Sequence, residues 1–223
     1  RRSSDLSDPD RTAIANYHPD LILGSSTVQS GQYADLAAIA PTVFTGAPGP
    51  DWQQTLRAVG AATGRGEAAG RLIDEFNEQA HQLGEAIDGA HFQASIVQFT
   101  PGSVRVYGRE NFPQTVLAAV GVDRPVAQRF TDQPYTEINV DGGALNSADL
   151  AAADGDIVYV SFDSPEAKAA APRILNSDAW RRLSASKDNR VFIVNNEVWQ
   201  SGRGLIAARG MLDDLRWLNA PIN

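Results

Sequence analysis

The stretch from Gly66 to Ile87 constrains the fold of this chain more than any other. Its apolar residues Ala68, Leu72, Phe76, Ala80, Leu83 and Ile87 recur every three or four positions, and Glu67, Asp74, Glu75, Glu78 and Glu85 fall elsewhere on the wheel. That is the period of a helix with one apolar stripe. At about 1.5 Å per residue it reaches roughly 30 Å, the diameter of a small domain. A helix of that length with a single face to bury can tie two lobes together.

The pattern on either side predicts the lobes. Ser3 to Arg11 is polar and reads as loop or fraying terminus, and Ile14 to Asn16 closes a short helix that His18-Pro19 stops. The short apolar run Asp20-Leu-Ile-Leu23 opens into Gly24-Ser25-Ser26, as a buried parallel strand opens into a loop. Leu36 to Ala40 ends a helix before Pro41, and Thr42-Val-Phe44 is a second strand. Strand, helix and strand in that order imply a parallel βαβ unit. Asp51 is expected to cap a helix in which Leu56 and Val59 share a face until Gly64.

After Asp88-Gly89 the alternation restarts with strands at 94–99 and 105–107 and a helix from Phe112 to Val120. The stretch carrying Arg129, Phe130 and Tyr135 reads as irregular. Ile157 to Phe162 is the clearest buried strand, and Ser164-Pro165 starts a helix as N-cap and N1. Arg190 to Val194 is the last strand, and Gly204 to Leu218 a terminal helix with Leu205, Ala208, Leu212, Leu215 and Leu218 on one face. The expected class is α/β, with parallel-rich sheets in two lobes, residues 1–64 and 89–223, joined by a rigid helix over 65–88.

Composition removes several function classes. Nineteen Lys and Arg against 27 Asp and Glu give a formal charge of −8, which argues against nucleic acid as the main partner. With no Cys there are no thiolate metal sites, disulfides or cysteine catalysis. No stretch reaches the roughly 18 apolar residues of a membrane span, and no apolar core of a signal peptide follows Arg1-Arg2-Ser3-Ser4. Neither a Gly-x-Ser-x-Gly elbow nor a His-Glu-x-x-His pair occurs, so no enzyme is expected. Asp213 and Asp214 are adjacent on a helix, about 100° apart, and cannot converge on one substrate.

Ligands of open parallel sheets sit beyond the carboxyl ends of strands. Ser25 and Ser26 follow the first strand, and Trp52 comes shortly after the second. Arg105, Tyr107, Arg109 and Phe112 cluster around a strand end in the second lobe, Tyr135 lies in the irregular stretch, and Trp199, Gln200 and Arg203 follow the last strand. Rings and guanidinium groups with few carboxylates suit a bulky anionic ligand, aromatic or chelated. The plainer readings also have residues to claim. Trp180 and Trp217 are expected in the core, Tyr159 and Phe162 within the sheet, and each Arg taken singly in a surface ion pair. His18 and His81 are expected in solvent, and the three His have no mutual metal-ligand spacing.

Several segments resemble the helix-linked periplasmic binding proteins that deliver ferric siderophores, haem or cobalamin to ABC importers. His18-Pro-Asp-Leu-Ile-Leu-Gly-Ser25 resembles the family's KPDLIL strand, and Leu36 to Phe44 the next helix and strand. Val106-Tyr-Gly and Asn111 to Gly121 are similar to the segment that opens the cleft in the second lobe. Asp178 to Leu183, Asn189 to Val194, Val198-Trp199 and Gly204 to Leu215 follow the family's closing order. The resemblance runs from about residue 12 to the end and is nearest to actinobacterial lipoproteins of the ferric-dicitrate-binding type.

The resemblance implies a class III binding-protein fold whose first lobe is incomplete here, two or so βα units being expected before Ile14. It implies an extracytoplasmic, lipid-anchored, monomeric protein without a cofactor, whose ligand is a ferric siderophore or related iron chelate and whose partner is an importer permease. By matching position, Trp52, Tyr107, Arg109, Tyr135, Trp199 and Arg203 are the implied ligand contacts. Where members carry a docking Glu on each lobe this chain has Thr12 and Ser147, with Asp10 and Asp149 nearby. Two rival readings follow. One is a haem-binding protein with Tyr107 or Tyr135 as axial ligand, and the other an envelope interaction protein with a vestigial cleft.

Overall fold

The computed structural model describes residues 9–46, 49–140 and 147–218. Its internal contacts divide the chain between Asp74 and Glu75 into two units.

In the first unit, α1 (Arg11–Asn16) begins at Asp10, whose carboxylate accepts from the Ala13 N–H at 3.1 Å. Then come β1 (Ile22–Ser25), α2 (Tyr33–Ala37) and β2 (Thr42–Thr45), and β1 and β2 pair in parallel from Ile22↔Thr42 to Ser25↔Thr45. This is the βαβ unit that the pattern predicts. The first strand runs two residues further than its apolar run because the Phe44 ring lies over Gly24, where a Cβ would come within 2.6 Å of it. Helix α3 (Trp52–Ala62) starts after Asp51, whose side chain makes no capping bond; its carbonyl takes the Thr55 N–H instead.

Helix α4 (Gly66–Ala86) passes from the first unit into the second. It buries Ala69, Ile73, Phe76, Ala80 and Leu83. The predicted stripe therefore holds in its second half and turns by one residue in its first, where Ala68 and Leu72 are only half-buried. Both neighbours in each pair are apolar, so the pattern cannot choose between them. Packing chooses: the Ala69 methyl lies against Gly60 of α3, 2.6 Å from where a Cβ there would stand. Further along, a Cβ at Gly84 would stand 2.0 Å from the Val120 carbonyl, so only glycine allows that approach.

The second unit contains β3 (Ala94–Phe99), β4 (Ser103–Tyr107), α5 (Phe112–Val120), β5 (Tyr135–Asn139), α6 (Ser147–Leu150) and β6 (Ile157–Phe162). Short helices α7 (Pro165–Ala170), α8 (Pro172–Leu175), α9 (Asp178–Arg181) and α10 (Ser184–Lys187) lead to β7 (Val191–Ile193), and α11 (Leu205–Leu218) ends the described chain. The sheet order is β5-β4-β3-β6-β7, parallel across β3, β6 and β7 and antiparallel across β4 and β5. Strand β5 corrects the irregular reading of this stretch. Its alternation is too short to stand out, and it forms because β4 offers it a ladder from Tyr107↔Tyr135 to Ser103↔Asn139.

Alternation along the strands gives the sheet two unlike faces. Val97, Phe99, Val104, Val106, Val158 and Val160 form one core with Leu150, Ile174, Trp180 and Leu183 from the helices. Ile96 and Tyr159 lie on the other face, where the Trp199 ring packs at a tilt against Tyr159, 4.7 Å between centroids. Trp180 is a core residue as predicted, packed on Phe99 at 5.5 Å. Trp217 is not, being 79% exposed. Helix α11 buries Ala208, Met211, Leu212 and Leu215, and a residue two past Leu215 sits about 200° round the helix from it.

Candidate functional site

The second face turns polar towards the carboxyl ends of β3 and β6. Gln98 and Ser161 are register partners and the penultimate residues of those strands, and Asn196 follows β7. Opposite Gln98 on β4 stands Arg105, with Tyr107 two residues along on the same face. Glu137 and Tyr135 of β5 pair with Arg105 and Tyr107 in turn.

Buried Gln98 holds this cluster together. Its Oε1 accepts the Tyr107 hydroxyl at 3.0 Å and an Arg105 N–H at 3.4 Å, while its Nε2 donates to Asn196 Oδ1 at 2.8 Å. Asn196 in turn donates to Ser201 Oγ at 3.4 Å. The Arg105 guanidinium lies 4.8 Å over the Tyr135 ring, and that ring is 5.4 Å from Tyr107. Arg105 Nε donates to Glu137 Oε1 at 3.1 Å, and Ser103 Oγ donates to the same oxygen at 2.6 Å.

These contacts set the charges. Burial pushes the Tyr107 phenol up to about 12, against the pull of Arg105, so it is a neutral donor. Glu137 is held below its ordinary range by the Ser103 hydroxyl and then by Arg105. Burial works to lower the Arg105 pKa, but its bond to Glu137 and the rings around it leave it above the ordinary value. The Arg203 charge also reaches the Tyr107 phenol.

Behind the cluster, the wholly buried Arg124 donates to the carbonyls of Ala94 and Tyr107, bridging β3 and β4 where their ladder opens. Burial, then repulsion from Arg109, lowers its pKa to about 9, which leaves it charged at neutral pH. Asp123 accepts from the Arg124 backbone N–H, from Arg109 and from Arg129, each at 2.7 Å.

Of the residues singled out in the sequence, Arg105, Tyr107 and Tyr135 come together, and Arg203 lies within electrostatic reach of Tyr107. Arg109 is engaged with Asp123. Trp199, Trp52 and Phe112 are 0%, 3% and 3% exposed and act in packing, and the Trp199 indole N–H donates to Asp214 at 2.8 Å. Gln200 is half-buried. Ser25 and Ser26 belong to the first unit, where their hydroxyls bond Thr27 Oγ1 and the Thr45 carbonyl. Sequence reasoning missed Gln98 and Asn196, although an amide inside the apolar run Ala94–Phe99 was a legible sign of a buried polar anchor. Among the described residues no group of three or more His, Asp or Glu converges to hold a metal. The cluster offers donors, rings and positive charge.

The family profile described as periplasmic binding protein matches residues 7–198. The chain is 29% identical over 215 residues to the probable siderophore-binding lipoprotein YfiY of Bacillus subtilis (strain 168), covering 93% of this chain and 65% of that one. It is 25% identical to the achromobactin-binding periplasmic protein of Dickeya dadantii (strain 3937), covering 93% of this chain and 68% of the relative. Among solved structures, Staphylococcus aureus SirA complexed with staphyloferrin B superposes with a TM-score of 0.82 at 21% identity, over 95% of this chain and 75% of that one.

Proposed function

This chain belongs to the periplasmic binding protein family, and from that premise we propose that it is an extracytoplasmic solute-binding protein for a ferric siderophore or related iron chelate, which it delivers to an ABC importer. The family is one of binding proteins rather than enzymes. Relatives named for siderophore and achromobactin binding support the ligand class, and their description as lipoprotein and periplasmic protein supports the location. Among the described residues no helix is long and apolar enough to cross a membrane.

One observation carries the reading: Gln98 fixes Arg105 and Tyr107 beside Tyr135 at the strand ends of the second unit. A ferric chelate brings its own iron donors and presents an anionic, often aromatic, periphery. Arg105 and Arg203 would meet the charge, the Tyr135 ring would stack, and the neutral Tyr107 hydroxyl would donate. A phenol pushed up to about 12 is a poor tyrosinate, which weighs against Tyr107 as a haem ligand.

The test is a titration of the full-length protein with ferric citrate, a panel of ferric siderophores and haemin, followed by tryptophan fluorescence and visible absorption. Arg105→Ala should weaken binding of an anionic chelate by about 1.5–3 kcal/mol, as for one charge-assisted bond. Unchanged affinity in that variant, or a Soret shift with haemin and no response to any chelate, would overturn the proposal.

A further inference from the structure

The opposite face of the same sheet carries a concavity, about 370 Å³ in volume, at its β7 edge. Its floor is apolar and continuous with the main core: Trp180, Leu175, Val191 and Ile193 line it. Ile193 pairs with Val160 within the sheet, yet 62% of it faces solvent. Three polar residues, Arg181, Ser186 and Asn189, complete the lining. The Ser186 hydroxyl oxygen is buried with no hydrogen-bond partner among the described residues, and the Arg181 guanidinium makes no ion pair or hydrogen bond among them. Local charge has the same sign. Residues 173–190 hold five Arg or Lys (173, 181, 182, 187, 190) and two Asp (178, 188), in a chain whose formal charge is −8.

An orphaned buried hydroxyl costs free energy until something accepts a hydrogen bond from it. A guanidinium at the mouth of an apolar notch favours an anion with a planar, two-oxygen head. We propose that this notch is a second binding site, separate from the Arg105 cluster, for the carboxylate of a small amphiphilic acid. The carboxylate sits on Arg181 and accepts a hydrogen bond from the Ser186 hydroxyl, while an aromatic ring or medium-length acyl chain lies over Trp180 and Ile193. The volume falls in the range of small-ligand pockets. The inference is independent of the iron-chelate reading.

Decanoate and naphthoate are the probes, titrated into full-length protein carrying labelled isoleucine methyls. The Ile193 methyl should shift saturably, and the still more exposed Ile206, at 91%, should stay in place as the control for general adsorption. Arg181→Glu should weaken binding about tenfold or more, Arg181→Gln by less and Ser186→Ala by about threefold. All three should leave the ferric-chelate titration unchanged. The idea is overturned if Ile206 moves in step with Ile193, if Arg181→Gln and a folded Arg181→Glu both bind as wild type, or if the uncharged alcohol of the same ring binds as tightly as naphthoate.

Discussion

Strands β1 and β2 pair in parallel, as do β3 and β6, yet the two ladders live under different conditions. Val97, Phe99, Val158 and Val160 are fully buried, whereas Leu23 of β1 is 46% exposed and its neighbours are at best half-buried. Parallel sheets are stable when both faces are covered. The central strands of the second unit meet that condition, with the Trp180 core on one face and Trp199 on the other. Among the described residues of the first unit, Leu36, Ala40, Trp52, Ala69 and Ile73 are the buried apolar side chains. A two-stranded ladder with so little cover is marginal by itself. Similar strand sequences can therefore form the rigid frame of one unit and the softer part of another, depending on what covers them.

Hydrogen exchange puts that comparison at greatest risk. Amides of β3 and β6 should be protected over those of β1 and β2 by about 5 kcal/mol, several thousandfold in rate. Equal protection would remove the distinction. Next, Trp180→Ala should cost about 4 kcal/mol in urea melts, and Leu36→Ala about 2, because the larger ring leaves the larger cavity in the tighter core. Comparable losses would mean the first unit is packed as firmly as the second. Arg124→Ala should cost about 3 kcal/mol, since the Ala94 and Tyr107 carbonyls lose their donors. Arg124→Met, which keeps the bulk, should cost less; if it matches wild type, burying the guanidinium offsets what its bonds contribute.

The smallest effect is acid loosening of the second unit. Asp123 is held low by the Arg124 N–H and then by Arg109 and Arg129, and Glu137 by Ser103 and Arg105. A depressed folded pKa means stability that is present above the ordinary values of 3.8 and 4.5 and lost as pH falls through the lower folded ones. Both side chains are nearly half exposed, so screening leaves well under about 1 kcal/mol each. Urea melts at pH 6 and pH 3 should show the loss, and Asp123→Asn should shrink it. A pH response that this variant does not change would place the acid sensitivity elsewhere.

What the sequence made legible were features set by local period. The long helix, the βαβ order, the Ser164 cap and the buried run at Ile157 all depend on neighbours in the chain. What it concealed was decided across the chain. Trp199 and Trp217 are both large rings near a helix, and only Tyr159 and Asp214 bury the first while the turn of α11 exposes the second. Strand β5 needed β4 to exist. In the site, Arg105, Tyr107 and Tyr135 were visible as residue types, but the amide that joins them was hidden inside an apolar strand.

The ionisable groups around Gln98 titrate far from neutrality, with Tyr107 and Arg105 moved up and Glu137 moved down. From about pH 5 to pH 10 these three groups therefore keep a single charge state. Acidification within that span would leave these charges unaltered, so a change in capture there would point to protonation of the guest.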